Sequence, residues 1–177
     1  MVMAVIASAA DGLRAAERGA NHLLLRMPDA DARDQYRELT ALVGATPLPV
    51  LVRGRPDLAL AAGAAGVNLP EADIPVSGAR SLLGPDRLVG RSVHSLAAAS
   101  LAVAEGADFV VFGPVFPTPT HPGMPGLGLA ALGEVARAVA IPVLAIGGVD
   151  ATRSAECLAA GAAGYAAIRH FQEAPDP

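Results

Sequence analysis

The feature that most constrains the fold is a fourfold internal repeat, in which an alanine-rich helical stretch leads into a Gly-Ala pair and then an apolar run. The four segments read AAERGANHLLL, LALAAGAAGVNL, AVAEGADFVVF and CLAAGAAGYAAI. Their glycines are Gly19, Gly63, Gly106 and Gly161, which are separated by 44, 43 and 55 residues. Each interval is too long for one strand–helix unit and about right for two. The repeat therefore predicts paired strand–helix units along the chain.

Apolar runs of a second kind lie between the repeated segments and supply the remaining strands. They read VMAVIA at 2–7, LPVLV at 48–52, LVG at 88–90 and IPVLAI at 141–146. With the apolar ends of the four repeats they make eight short strands that alternate with helical stretches, which indicates a parallel sheet. Eight units with internal repetition favour a closed barrel over an open doubly wound sheet. Residues 1–177 are therefore predicted to form one domain of the α/β class, a TIM-type (β/α)8 barrel.

The outer helices are expected to be short and amphipathic, with each repeat glycine in a left-handed conformation just after a helix end. Six of them read ADGLRAAER, DARDQYRELTALV, PDLALAA, SLAAASLAVAE, LAALGEVARAV and ATRSAECLAA. The fourth helix, VSGARSLLG, offers only about two turns. We expect the last outer helix to be truncated, since only RHFQEAPDP follows the eighth predicted strand, YAAI. We therefore expect neighbouring helices, or the second subunit of a homodimer, to cover the exposed strand surface.

Composition argues against several classes of function. No apolar stretch reaches the roughly 18 residues needed to span a bilayer, and the first residues lack the basic flank of a signal peptide. These features predict a cytoplasmic protein without a membrane partner. A net charge of −4 and an aromatic content of 3% argue against nucleic acid as a partner. The single cysteine, Cys157, leaves no disulfide framework and is predicted to be a small buried residue.

If the chain is a barrel, its ligand lies over the carboxyl ends of the strands. The polar and glycine residues that follow the predicted strands are Ser8, Arg26, Arg53, Arg55, Asn68, Glu71, Asp73, Arg91, Ser92, His94, Gly147, Gly148, Arg169 and His170. Basic groups are concentrated at this face although the chain as a whole is acidic. The pattern indicates a site for a small anion.

Two glycine-containing segments at this face are candidate parts of the site. The loop after the sixth strand is rich in proline and glycine and carries Thr118, Thr120 and His121. Such a loop is costly, and long connections in compact domains are usually functional. The pair Gly147-Gly148, in IPVLAIGGVD, precedes a predicted helix. Its backbone amides can approach a phosphate closely, as turns after strands 7 and 8 of such barrels commonly do.

These motifs also carry a family resemblance. The segments GADFVVFGPVFPTPTHPG, IPVLAIGGV and AGAAGYAAI resemble the thiamine phosphate synthase and TenI superfamily. LVRGRPDLALAAGAAGVNLPEADIPV and VGRSVHSLAAA extend the resemblance over nearly the whole chain. It implies a barrel that binds a thiazole phosphate or thiamine phosphate. The residues it places at the phosphate are Gly147, Gly148, Ala167 and Ile168, with Thr118 and Thr120 contributed by the long loop.

Several positions depart from the pattern that the resemblance implies for synthases. Arg26 is followed by Met-Pro, so a lysine two positions later is replaced by Pro28. Residues 53–55 read Arg-Gly-Arg where synthases have Asn-Asp-Arg, the aspartate of which is a magnesium ligand. His121 stands in place of a lysine, whereas Asp73 matches a second magnesium carboxylate. We therefore predict no cofactor, with Mg²⁺ at Asp73 only if the chain is a synthase.

The resemblance leaves three interpretations, of which we favour a TenI-like thiazole tautomerase, an isomerase that moves a proton to aromatise the ring. His121 and His94 are its candidate proton carriers because histidine titrates near neutral pH. Pro114, however, occupies the place of a catalytic histidine found in some TenI proteins. Arg26, Arg53, Asn68 and Ser92 are the predicted anchors of the substrate. The alternatives are a thiamine phosphate synthase that uses a pyrimidine pyrophosphate, and a non-catalytic binder of thiazole or thiamine phosphates.

Overall fold

The computed structural model describes residues 1–119, 123 and 125–171, and it confirms the predicted barrel. Eight parallel strands close in chain order, with β1 hydrogen-bonded to both β2 and β8. The strands are β1 Val2–Ile6, β2 His22–Leu25, β3 Val50–Arg53, β4 Gly66–Leu69, β5 Leu88–Val93, β6 Phe109–Phe112, β7 Val143–Ile146 and β8 Gly164–Ala167. Because the sheet closes on itself, it has no exposed edge.

β1 and β7 are one and two residues shorter than the apolar runs at 2–7 and 141–146, and two further strands differ from their predictions for local reasons. β3 begins at Val50 rather than at 48, since Pro47 and Pro49 have no backbone N–H to donate to a neighbouring strand. β5 continues to Val93, three residues beyond the predicted LVG, because Arg91 and Ser92 interrupt the apolar pattern without interrupting the strand. Half of β5 was therefore missed in the prediction, because polar residues occupy the carboxyl end of this strand.

Seven α-helices surround the barrel in the part of the chain that the structure describes. They are α1 Ala9–Glu17, α2 Ala32–Ala45, α3 Pro56–Ala61, α4 Val76–Leu83, α5 Leu96–Ala104, α6 Gly128–Ala138 and α7 Ala151–Ala159. α4 has only eight residues, as predicted. None of the described helices is long and apolar enough to span a bilayer. The repeat glycines, Gly19, Gly63, Gly106 and Gly161, have φ angles of 91°, 68°, 90° and 107°, which confirms their predicted left-handed conformation.

The barrel interior is filled from its amino-terminal end. Phe109, at the start of β6, is 1% exposed, and Met3 and Leu51 are fully buried in the same cluster. The phenyl ring of Phe109 uses space left by Gly90, where a Cβ atom would lie only 2.1 Å from the ring. This packing closes the lower end of the barrel and leaves room only above it, over the carboxyl ends of the strands.

A second apolar layer packs between the strands and the helices. It includes Leu39, Leu42 and Leu132, all of which are fully buried. Cys157 on α7 is buried in this layer, as predicted, and burial raises the pKa of its thiol to about 11. A thiol with so high a pKa carries almost no thiolate near neutral pH, so Cys157 is a packing residue.

The position that an eighth helix would occupy is partly covered by the chain itself. A 3₁₀ turn, Arg169–Phe171, follows β8, and Phe171 is 3% exposed within the outer apolar layer. Arg18, at the end of α1, donates a 2.8 Å hydrogen bond to the carbonyl oxygen of Phe171. The ring of His170 makes edge contacts with Phe171 and Tyr165. Covering by a second subunit stays a prediction.

Candidate functional site

A cavity of about 740 Å³ opens over the carboxyl ends of the strands, and all eight strands contribute to its lining. Its floor is apolar and is formed by Val5, Leu24, Val111, Ile146 and Ala166. The predicted site residues that line it are Arg26, Arg53, Asn68, Ser92, His94, Thr118, Gly147, Gly148, Ala167 and Ile168. Thr120 and His121, the other two predicted residues of the long loop, lie outside the described residues. An apolar floor with polar groups around its rim suits an aromatic ring that carries a charged group.

Two arginines, Arg26 and Arg53, form the basic side of the cavity. Arg53 is the last residue of β3 and shares the inward face of that strand with Leu51. Burial lowers the pKa of Arg53, the charge of Arg26 lowers it further, and Asp73 opposes the shift. Both side chains line the same cavity. Arg53 remains charged near neutral pH, since an arginine pKa lies far above it.

Two of the other arginines predicted at this face are neutralised or used to hold the structure, whereas Arg169 lines the cavity. Arg55 forms a two-pronged ion pair with Asp57, with an Nε–Oδ1 distance of 2.8 Å, and it does not line the cavity. Arg91 is 7% exposed and donates hydrogen bonds to the carbonyl oxygens of Pro70 and Ile74, at 2.6 and 2.9 Å. Arg91 therefore fixes the loop between β4 and α4. Fewer of the predicted basic residues line the cavity than expected, because Arg55 and Arg91 do not reach it.

Asn68 and Ser92 form a neutral polar pair between β4 and β5. The Asn68 amide nitrogen donates a 2.9 Å hydrogen bond to the Ser92 hydroxyl oxygen. Asn68 is only 1% exposed, and its side-chain oxygen has no hydrogen-bond partner among the described residues. A buried acceptor left unsatisfied costs about 1–3 kcal/mol. A ligand that donates an N–H or O–H group to Asn68 from the cavity would remove that cost.

The glycine turn after β7 forms the opposite side of the cavity from Arg53, because three strands of the closed barrel lie between β3 and β7 in either direction. Gly147 and Gly148 have φ angles of 93° and 65°. A Cβ atom at Gly148 would lie 2.7 Å from the carbonyl oxygen of Pro117, so the long loop rests directly on the turn. The Phe116 amide donates to the Gly147 carbonyl oxygen at 3.0 Å. The loop after β6 and the turn after β7 are therefore one packed unit.

Arg153 is a cavity residue that the sequence motifs did not reveal. It lies in the first turn of α7 and donates a 2.9 Å hydrogen bond to the Gly148 carbonyl oxygen. Its guanidinium group is 5.0 Å from the centre of the Phe116 ring, a distance typical of a cation–π contact. The one sequence feature that could have indicated Arg153 is its position, five residues after the second glycine of a predicted phosphate-binding turn. Arg153 adds positive charge to this side of the cavity and links the turn to the loop.

His94 lies at the rim of the cavity and is held by Glu71, which also lines the cavity. The Glu71 carboxylate accepts hydrogen bonds from the backbone N–H of His94 at 2.7 Å and from its ring Nδ1 at 2.6 Å. Both side chains are partly exposed, with relative exposures of 52% for His94 and 39% for Glu71. These hydrogen bonds fix the loop after β4 against the start of α5. This geometry suits a residue that positions the rim.

The described residues do not provide the ligand set that Mg²⁺ requires. Asp73, the matching carboxylate, does not line the cavity, and one of its oxygens accepts a 2.7 Å hydrogen bond from the Ile74 amide. Position 54, where synthases carry the partner carboxylate, is a glycine. In the ranges 1–119, 123 and 125–171 no group of three or more His, Cys, Asp and Glu side chains could hold a metal. Mg²⁺ needs several hard oxygen ligands in near-octahedral geometry, and this donor set does not fit it.

Comparison with known proteins identifies what the chain is similar to. A family model described as thiamine monophosphate synthase matches residues 5–171. The chain is 48% identical over 163 residues to thiamine-phosphate synthase of Anaeromyxobacter dehalogenans, which covers 90% of this chain and 73% of the relative. It is 44% identical over 167 residues to a putative thiamine-phosphate synthase of Geobacter sulfurreducens, with coverages of 90% and 76%. A solved structure of thiamine phosphate pyrophosphorylase from Pyrococcus furiosus matches with a TM-score of 0.85 and 32% identity, over 94% of this chain and 84% of that one.

These similarities confirm the resemblance that the motifs predicted and correct the branch. The preference for a TenI-like tautomerase, and for an isomerase, was wrong, because relatives at 41–48% identity over most of the chain are thiamine-phosphate synthases by name. The structure supplies a physical reason at Pro114. This residue is buried against the glycine turn, and a Cβ atom at Gly147 would lie 2.5 Å from it. The position therefore packs the loop and cannot carry a proton. We do not assign the proton-carrier role to His94 or His121.

Proposed function

This chain belongs to the thiamine monophosphate synthase family, and we propose that it joins a pyrimidine pyrophosphate to a thiazole phosphate, releasing pyrophosphate. The observation that carries the proposal is a cavity with an anion-binding group on each side of an apolar floor. Arg26 and Arg53 are the groups on one side, and the glycine turn with Arg153 is on the other. Two charged substrates could then bind at opposite sides with their rings in contact between them.

The reaction requires one bond to form as another breaks. The ring nitrogen of the thiazole attacks the methylene carbon that carries the pyrophosphate, and a C–N bond replaces the C–O bond. The pyrophosphate leaves with the bonding electrons, so negative charge increases on the leaving group. Arg26 and Arg53 would stabilise that charge as it develops, which is the most effective use of fixed positive groups in an active site.

Asn68 and Ser92 would orient the pyrimidine ring. The buried side-chain oxygen of Asn68 can accept a hydrogen bond from a ring amino group, which is the kind of donor that the unsatisfied acceptor requires. The apolar side chains of Val5, Leu24 and Val111 would lie beneath the two rings and exclude water. Holding two reactants in one orientation over a dry floor can lower the activation barrier by several kcal/mol.

At the opposite side, the glycine turn would hold the thiazole phosphate. Gly147, Gly148, Ala167 and Ile168 line the cavity at the ends of β7 and β8, where barrels of this type commonly bind phosphate. Thr118 lines the same side, from the loop that packs on the turn. Since the turn and the loop form one packed unit, the phosphate position would be fixed before the second substrate binds.

The test is a direct assay of the purified chain with both substrates, measuring thiamine phosphate and pyrophosphate as products. We expect equal amounts of the two products to form with time. Absence of both at high enzyme concentration would contradict the proposal. Binding of thiamine phosphate by calorimetry, without any turnover, would identify the chain as a non-catalytic binder instead.

A further inference from the structure

The basic side of the cavity has positive charge that the protein balances only in part, through the charge of Asp73 near Arg53. In the portion of the chain that the structure describes, no carboxylate forms an ion pair with Arg26 or Arg53. By contrast, Arg55, two residues after Arg53, is fully engaged with Asp57. Two partly buried guanidinium groups that line one cavity repel each other, and an anion bound between them would remove that repulsion.

The carboxylates that could hold a cation at the cavity already have other partners. Glu71 accepts two hydrogen bonds from His94. Asp150 caps the amino terminus of α7, where its side chain accepts a hydrogen bond from the Arg153 amide at 2.9 Å. Asp73 is hydrogen-bonded to the Ile74 amide and lies outside the lining. A cation near Arg53 would thus meet fixed positive charge and few available oxygens.

We infer that this chain binds the pyrophosphate group without a divalent cation, using the guanidinium groups of Arg26 and Arg53 in place of the metal. A guanidinium group donates up to five hydrogen bonds in a planar fork, which matches two oxygens of a phosphate at once. Arg53 occupies the strand end from which the family pattern leads into a metal-binding carboxylate, and Gly54 removes that carboxylate. The charge of the ligand is therefore balanced by the protein itself. The identity of the ligand rests on the proposed function.

The test is calorimetric titration of the chain with inorganic pyrophosphate, in excess EDTA and in excess MgCl₂. Affinities are corrected for the magnesium–pyrophosphate complex that forms in solution. We expect the Kd in EDTA and the Kd in MgCl₂ to agree within about twofold when each is calculated from the concentration of free pyrophosphate. Binding that appears only with Mg²⁺, or that Mg²⁺ tightens tenfold or more, would overturn the inference.

The role of Arg53 in pyrophosphate binding is tested with one variant and a matched control. Arg53→Ala should weaken pyrophosphate binding in EDTA by about tenfold to a hundredfold, as expected for loss of a hydrogen bond to a charged group. Arg55→Ala is the matched control, because this neighbouring arginine pairs with Asp57 outside the cavity, and it should bind as the unmodified chain does. An equal loss in both variants would show that general charge, rather than the position of Arg53, attracts the ligand.

A double variant, Arg53→Asn with Gly54→Asp, restores the family's Asn-Asp-Arg order. The new carboxylate would adjoin Asp73, whose side-chain oxygen lies 3.1 Å from the Cβ position at residue 54. The left-handed φ of 64° at this position is one that aspartate tolerates better than most residues. Binding should become dependent on Mg²⁺. Retained binding in EDTA would contradict the role of Arg53, and circular dichroism confirms that the variant is folded.

Failure of this inference and failure of the proposed function give different results. Turnover that occurs only with Mg²⁺ would leave the synthase proposal intact and overturn the metal-free site. Pyrophosphate binding in EDTA with no turnover under either condition would support the metal-free site and contradict the synthase proposal. If neither binding nor turnover occurs under either condition, both proposals are wrong.

Discussion

The two sides of the barrel mouth offer different kinds of group to an anion. The β7–β8 side depends on backbone: Gly147 and Gly148 adopt left-handed conformations, and the loop after β6 packs directly on them. The β2–β3 side depends on long side chains, Arg26 and Arg53, that extend into the cavity from strand ends. A backbone site tolerates almost no substitution, whereas side chains at a strand end can be exchanged without disturbing the strand. The departures from the family pattern accordingly lie largely on the β2–β3 side.

The largest expected effect is on the backbone side, from Gly148→Ala. The added Cβ atom would lie 2.7 Å from the Pro117 carbonyl oxygen, at a φ of 65° that alanine rarely adopts. We expect the free energy of unfolding to fall by about 2–4 kcal/mol and synthase activity to be lost. Thermal unfolding and the product assay measure the two effects. Gly78→Ala in α4 is the control, since nothing lies within 4 Å of its Cβ position, and it should stabilise the chain by up to about 1 kcal/mol.

On the side-chain side, Arg26→Ala should separate function from stability. We expect kcat/KM for the pyrimidine pyrophosphate to fall by about tenfold to a hundredfold. The midpoint of thermal unfolding should be unchanged or slightly raised, because the charge of Arg26 opposes that of Arg53 in the ligand-free protein. A lower midpoint together with lost activity would show that Arg26 supports the fold, and the contrast between the two sides would no longer hold.

Asn68 lies between the two sides, and Asn68→Leu is expected to stabilise the chain while weakening substrate binding. The substitution removes a buried oxygen that has no partner in the described structure, and replacing such a group with an apolar one of similar size can contribute about 1 kcal/mol. We expect kcat/KM to fall by about tenfold. Ser92→Ala should instead destabilise the chain, because it leaves the Asn68 amide nitrogen without its 2.9 Å partner. Equal stability of the two variants would contradict this account.

The smallest effect is expected at the rim, from His94→Ala. The ring is held by Glu71 at 2.6 Å and positions the loop after β4, and the proposed reaction assigns it no proton transfer. We expect kcat/KM to fall by less than about fivefold and the pH profile to keep its shape. A loss of a hundredfold or more, with a changed pH profile, would restore a catalytic role to His94.

Much of the fold could be predicted because the features that make up the repeat are encoded by residues close together in the sequence. Each repeat glycine ends a helix through its own φ preference, and each apolar run predicts a buried strand from its own composition. The closure of eight strands follows from their number and alternation. The prediction was weakest where polarity and strand structure coincide, at Arg91 and Ser92, since a strand end that faces a site does not show the apolar pattern.

The candidate site was predicted less completely. The strand ends correctly indicated ten cavity-lining residues, but motif comparison gave too much weight to a few positions on the β2–β3 side and led to the wrong branch of the family. Arg153 was missed, and the contact of Glu71 with His94 was not predicted, because hydrogen bonds to the Gly148 carbonyl and to His94 are contacts that no local pattern encodes. Similarity over the whole chain was a better guide to the reaction than the few positions that differ.

The sequence by itself determined the barrel, the end at which its cavity opens and the family to which it belongs, since each depends on periodicity and short motifs. Only the tertiary structure decided which arginines are available to a ligand. Arg53 and Arg55 are two residues apart and chemically identical, yet one extends into the cavity and the other is neutralised by Asp57. Strand alternation sends the first inward, and the turn into α3 brings the second to a carboxylate. The charge that an arginine offers depends on its neighbours in space.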